Sequence, residues 1–315
     1  MIRRSGAAGW GFWSQGRGLC LFLLVALFVA LEIPGTGSSA VAGPQCGGTV
    51  TSSVVLTKNL TCSGDGLYVD ASVTDVTLDL HGHSISGSGA GQGLIVLSSS
   101  TSPVVIKDGT VKNFRLGIAV DYTSATLDNL FIRDNGVGVF TLGGGPVLLS
   151  NSTISNNSSD GVEVSGQPGD FRMVNDRVTG NGGNGISAFT DSLRLLANSF
   201  IAHNGGNGAW LSATVATVGG NTFLGNGGVG LFISEDTCLY LSFYNVSDNV
   251  ANQNGQGGMT ASANPFTCDT PPPGTGNAAQ NNDVFQCILI VCAKNPGQAK
   301  QQSVVLAPRL LHNHP

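Results

Sequence analysis

Three basic side chains, Lys112, Arg133 and His203, each stand five residues ahead of a glycine that opens an apolar-x-apolar triplet: Gly117, Gly138 and Gly208. Equal offsets in equivalent stretches of chain predict that the three project from one outer face near the same corner. Such a stripe suits a ligand with regularly spaced anions. One cation neutralises a carboxylate on the ligand, and Lys112 or Arg133 takes the neighbouring proton. Asn156, Gly180 and Gly225 hold the same offset elsewhere and leave the face open. Lys112, Arg133 and His203 are therefore the candidate ligand-binding residues, and with Asp134 the candidate catalytic ones. The alternative is a solvated stripe whose bases pair with Asp108, Asp128 and Asp134, and exposed pairs contribute little.

Other chemistry-bearing types are scattered. His81 and His83 are two apart, as His312 and His314 are in the tail. On a strand that spacing puts both imidazoles on one face, the start of a copper or zinc site. No Cys, Met or third His lies near His81 and His83 in sequence, so no metal site is expected. Asp108, Asp128, Asp134, Asp160, Glu163, Asp170 and Asp176 are open to two readings, an acid/base or calcium cluster and an ordinary solvated surface. Gly87-x-Gly89-x-Gly91-x-Gly93 opens no helix and reads as a loop. Asn59, Asn151, Asn156, Asn157 and Asn245 fit the N-glycosylation pattern, as expected by chance in a chain this rich in Asn, Ser and Thr.

What positions these residues is a repeat. Glycines leading a triplet recur at Gly93, Gly117, Gly138, Gly161, Gly185, Gly208 and Gly230. A second column runs Asn129, Asn151, Asn175, Asn198, Asn221, Asn245, and a third Asn113, Asn135, Asn157, Asn181, Asn204, Asn226. Three registers sharing a period of about 23 residues indicate stacked structural units. Each piece is of strand length, and the triplets alternate. Leu94, Ile118, Val139, Val162, Ile186, Ala209 and Leu231 should form one interior column, and Val96, Val120, Thr141, Val164, Ala188, Leu211 and Ile233 its neighbour. A leucine-rich repeat would show Leu at fixed spacing and a helical segment. The expected fold is therefore all-β, a single-stranded right-handed parallel β-helix solenoid of about 8 rungs of about 23 residues. The Asn columns supply left-handed corners and stacked amides.

Thr77-Leu-Asp-Leu-His-Gly-His-Ser-Ile-Ser-Gly, followed by Asn-turn rungs with Gly-Ile/Val-x-Val strands, resembles the pectin-lyase-like superfamily, in particular its NosD-like and parallel β-helix repeat proteins. The resemblance covers roughly residues 68 to 262 and implies the fold. Its members include lyases, epimerases, hydrolases and adhesins, so it implies no single activity. The chain departs from the pectin hydrolases, because His83 sits in Gly-His-Ser and no Arg-x-Lys occurs.

Arg3, Arg4 and Arg17, the apolar run from Leu19 to Ile33 and Ala40-Val41-Ala42 read as a signal peptide over residues 1–42. Removing 42 of the 315 residues leaves 273. Three of the 14 basic and one of the 19 acidic residues go with it, leaving 11 and 18 and a net charge of −7. That balance argues against nucleic acid as a partner, and nothing after the signal is apolar enough for stable membrane insertion. A secreted, periplasmic or cell-surface location is expected. The remaining Cys46, Cys62, Cys238, Cys268, Cys287 and Cys292 form three sequence-local pairs, predicting disulfides 46–62, 238–268 and 287–292. The expected organisation is a disulfide cap over 43–67, β-helix repeats over 68–262, a second disulfide cap over 263–293 and a tail over 294–315. Two functions fit. One is a surface or carbohydrate-binding module with an acidic polysaccharide or cell-surface glycan as partner and no cofactor. The other is a polysaccharide lyase or epimerase on a uronate-containing glycan, for which calcium is the expected cofactor.

Overall fold

Short runs of alternating Val, Ile and Leu are too brief for helices and suit strands that bury alternate side chains. The computed structural model describes residues 43–72, 75–97, 104–189, 193–212, 216–235, 244–263, 272–288 and 290–292, and among these no helix occurs. All pairings between the strands are parallel. Sheet one has eleven strands in chain order: Gly48–Val50, Leu67–Asp70, Gln92–Leu97, Leu116–Asp121, Val137–Gly144, Val162–Pro168, Ile186–Phe189, Ala209–Ser212, Val229–Glu235, Gly257–Ala263 and Phe285–Ile288. Between successive members the chain passes through two further stacks. Sheet two includes Val76–Asp79, Val147–Ser150 and Phe171–Val174; sheet three includes Ser84–Ser86, Thr153–Ser155 and Arg177–Thr179. Val104–Lys112 and Ala125–Arg133 run through the corner between them and pair in both. Three parallel sheets wound once per repeat make a solenoid, and the expected eight rungs are its regular part.

Both predicted interior columns are fully buried, from Leu94 to Leu231 and from Val96 to Ile233. The register confirms the stacking, Val162 over Ile186 over Ala209 over Leu231. Thr141 is the one polar member, and its hydroxyl has no hydrogen-bond partner.

The Asn columns divide into two neighbouring positions with different work. At the corner between sheets two and three, Asp108, Asn129, Asn151, Asn175 and Asn198 take positive φ, and Gly220 continues the series. Asn221 is the next residue along and is buried, whereas Asn245 opens a strand of sheet two opposite Thr217. At the following corner Asn113 belongs with the positive-φ residues Asp134, Asn156 and His203. The buried amide ladder there is Asn135, Asn157, Asn181, Asn204, Asn226, Asn254 and Asn282. Each backbone N–H in it donates to the next Oδ1 at 2.9–3.1 Å. Every buried amide thus has partners on neighbouring rungs, which removes the penalty of burying it.

Disulfides join Cys46 to Cys62 and Cys287 to Cys292. Cys238 and Cys268 lie outside the described residues, as do the predicted signal segment, His312 and His314. The segments expected as caps also carry strands that pair in register, Gly48–Val50 with Leu67–Val69 and Gly257 with Phe285. Non-reducing peptide mapping of the mature protein should recover 46–62, 287–292 and 238–268 with no free thiol. A linkage such as 62–238 would contradict this assignment.

Candidate functional site

Strand alternation sends the middle residue of each triplet outward. On sheet one the outward column runs Ile95, Ala119, Phe140, Glu163, Ser187, Trp210, Phe232. Two residues further along each strand a second outward column runs Asp121, Leu142, Ser165, Phe189, Ser212. Adjacent rungs lie about 4.8 Å apart, so the six strands from Asp121 to Phe232 make a strip of roughly 24 Å.

The strip has an aromatic end and an acidic end. Phe189 and Trp210 meet edge to face at 5.0 Å between ring centroids, and Trp210 meets Phe232 at 5.8 Å. Phe189 is 45% exposed, and the buried Trp210 indole N–H has no acceptor among the described residues. At the other end Asp160 is fixed by the Ser187 hydroxyl, which donates to its Oδ2 at 2.6 Å, and by the Asn184 backbone N–H at 2.7 Å. Glu163 stands on the same strand face with no ion pair among the described residues. Burial, reinforced by the Asp160 charge, raises its pKa above the usual carboxylate value. Burial alone raises that of Asp121.

Asp79, Asp108 and Asp170, on the other sheets, behave in the opposite way. Lys107 Nζ lies 2.8 Å from both Asp79 and Asp108, and its hydrogen bonds hold both acids below the usual value. Asp170 bridges Arg194 at 2.7 Å and Arg172 at 3.1 Å, and Arg194 contributes most to lowering its pKa. These groups already have their counter-charges. A cavity of about 270 Å³ beside Asp108, Asn129 and Phe131 opens at that corner, but its one carboxylate is held by Lys107 and Asn129.

The residues singled out from sequence fall on sheet three and its corners. Lys112 and Arg133 are direct register partners and stack as expected. His203 does not join them. It follows Ala202, which stacks over Thr179, which stacks over Ser155, which stacks over Arg133. His203 is therefore one position further along and three rungs away, in a positive-φ corner with Asp134 and Asn156. The turn back to sheet one has one residue more from Asn156 onward than at Asp134, which shifts an offset counted from the glycine. Arg133 is bound to Asp134 by an ion pair. His81 and His83 flank a turn, His81 at φ 47° and Gly82 at φ 79°, so the strand rule that would have put their rings on one face does not apply. No group of three or more His, Cys, Asp and Glu side chains able to hold a metal occurs among the described residues, and no helix there is long and apolar enough to cross a membrane.

The aromatic strip was not read from the sequence, because the middle triplet position was treated as variable. Its signal was present in Trp210 and Phe232, which hold the same place after consecutive glycines.

No curated protein matches the chain. Among solved structures it is similar to the mannuronan C-5 epimerase AlgE4 A-module of Azotobacter vinelandii, with 15% identity over 78% of this chain and 91% of that one, TM-score 0.39. It is similar also to a periplasmic alginate epimerase, AlgG, with 8% identity over 79% of each chain and TM-score 0.32. A Dettilon tailspike protein shares 16% identity over 76% of this chain and 60% of that one, TM-score 0.29. The family described as right handed beta helix region matches residues 65–214 and 116–284, well over half of the sequence, and the chain belongs to that family.

Proposed function

We propose that this protein is a non-catalytic carbohydrate-binding β-helix that works outside the cytoplasm, and that a glycan chain lies along the outward face of sheet one. The observation that carries the reading is the strip itself, in which exposed Phe189 and half-buried Trp210 and Phe232 adjoin half-buried Asp160 and Glu163 on the outward face of sheet one. A pyranose ring has apolar C–H faces and a rim of hydroxyls. Aromatic rings cover the first, and carboxylates accept from the second with charge-assisted bonds. The rung spacing is close to the length of one sugar residue, so a chain running along the solenoid meets a similar surface at each step. Disulfides support the location, since they persist in oxidising compartments.

The epimerase or lyase alternative needs a cation to neutralise a uronate carboxylate beside a base. Lys112 and Arg133 offer the only stacked basic pair among the register partners of sheet three, and Arg133 is already bound to Asp134. A lyase working there releases unsaturated sugars, and their ultraviolet absorbance on incubation with pectate, alginate or hyaluronan would overturn the non-catalytic reading.

Titration calorimetry against a panel of soluble polysaccharides is the direct test. Trp210→Ala should weaken binding about 10- to 100-fold, as expected for an aromatic anchor, while leaving the unfolding midpoint within a few degrees. Unchanged affinity in Trp210→Ala would remove sheet one as the site.

A further inference from the structure

We infer that the glycan taken on sheet one is not anionic. The inference rests on the carbohydrate-binding reading above and specifies its ligand. From Gly48 to Ala263 no strand of sheet one contains Lys or Arg, and neither does any connection that leaves such a strand for sheet two. The acidic residues Asp70, Asp121, Glu163 and Glu235 do lie on those strands, with Asp160 just ahead of one. Lys107, Lys112, Arg133, Arg172, Arg177 and Arg194 all lie on sheets two and three. Arg115 leads into the strand Leu116–Asp121, at the opposite end from Asp121 and at the same edge of the sheet as Asp160, two rungs away. Arg177 is further engaged by stacking its guanidinium 4.5 Å over the Phe200 ring.

A uronate laid on this face would bring its carboxylates against Glu163, Asp160 and Asp121 with no counter-charge on the strands themselves, Arg115 standing only at the edge where the chain enters sheet one. Like charges at such range disfavour binding, and desolvating an unpaired carboxylate costs more. A neutral chain avoids both terms. Its C–H faces cover Phe189, Trp210 and Phe232, and its hydroxyls donate to Asp160 and Glu163. Binding of this kind involves no ion pairing, so salt should hardly affect it.

The test uses the mature protein and hexasaccharides of three kinds: neutral gluco-, manno- and xylo-oligomers, uronate oligomers, and a glucosamine oligomer. The expected result is binding of a neutral oligomer that changes less than twofold between low and high salt. Glu163→Lys should add measurable uronate binding. The double variant Lys112→Ala/Arg133→Ala, on another sheet, should bind the neutral oligomer as the parent does. Tighter binding of the uronate oligomer by the parent, or a tenfold loss of neutral binding with salt, overturns the charge assignment and leaves the glycan site standing, whereas tighter binding of the glucosamine oligomer agrees with it. Loss of neutral binding in the double variant overturns the placement on sheet one. No binding of any oligomer overturns the carbohydrate reading itself.

Discussion

Ile186→Asp should abolish the cooperative fold of the rungs around it. Ile186 is fully buried between Val162 and Ala209, and its column continues to Leu94 on one side and Leu231 on the other. Removing the isoleucine side chain from a closed column costs about 2–5 kcal/mol through lost burial and the cavity left behind. The carboxylate then has no partner in an interior of hydrocarbon, which adds several kcal/mol whether it stays charged or takes up a proton. The sum is comparable to the whole stability of a typical domain, about 5–15 kcal/mol. In a solenoid each rung is held by its two neighbours, so a break in the middle also uncouples the rungs on either side. Chemical denaturation should show a lost or strongly shifted transition, with strand circular dichroism reduced. Ser212→Asp is the control. Ser212 lies on the outward column beside Phe189, and the same charge there should change stability by about 0.5 kcal/mol or less. If Ile186→Asp unfolded like Ser212→Asp, the inside and outside of every strand of sheet one would have to be exchanged.

That prediction could be written from the sequence because period-two alternation and a period of about 23 residues both survive in the glycine-led triplets. Glycine is pinned at their start by close approach of the next rung. A Cβ on Gly161 would come within 2.7 Å of the Gly185 carbonyl, and one on Gly185 within 2.5 Å of that of Gly208. Asparagine is less informative, because one residue type serves two adjacent positions. Exposed Asn198 is in the column for its tolerance of positive φ, and buried Asn221 for its stackable amide. A count of asparagines slips from one to the other without a visible break. His203 slipped in the same way, through one additional turn residue. The candidate site was harder still. Its residues share a position but no residue type, since Phe140, Glu163, Ser187 and Trp210 stand on the outward side of sheet one, away from the close-packed interior column that imposes a common shape. Charge was legible only by omission, in the lack of Lys and Arg from one strand of every three.

Asp176→Asn should stabilise the protein above neutral pH and flatten its pH dependence. At the corner after sheet two the buried position is held in successive rungs by Ser152, Asp176, Ser199, Asn221, Asn249 and Asn277, each accepting from the backbone N–H of the rung before it. Asp176 alone of these is ionisable. It is 2% exposed, accepts from Ser152 N–H at 2.8 Å and Val174 N–H at 3.1 Å, and has no cation beside it. Burial pushes its pKa from 3.8 up to about 7, against the lowering effect of those two hydrogen bonds and with a small further push from Asp128. Between pH 4 and 7 the native state therefore holds a proton that the unfolded chain has released. Stability falls as pH rises through that window, and below it the group costs nothing. A displacement of about 3 units corresponds to about 4 kcal/mol at pH 8. Asparagine cannot ionise and fits the ladder as Asn221 does. Its amide cannot accept from Val174 N–H where the second carboxylate oxygen did, a loss of about 1–3 kcal/mol. The ionisation cost is the larger of the two, so the variant should gain about 1–3 kcal/mol at pH 8. At pH 4 it should be no better than the parent and up to a few kcal/mol worse. Urea unfolding at pH 4, 6 and 8 separates these outcomes. A parent and variant whose midpoints differ by the same amount at all three pH values would mean that Asp176 does not titrate in this range, and that its carboxylate is stabilised by a group other than those two N–H donors.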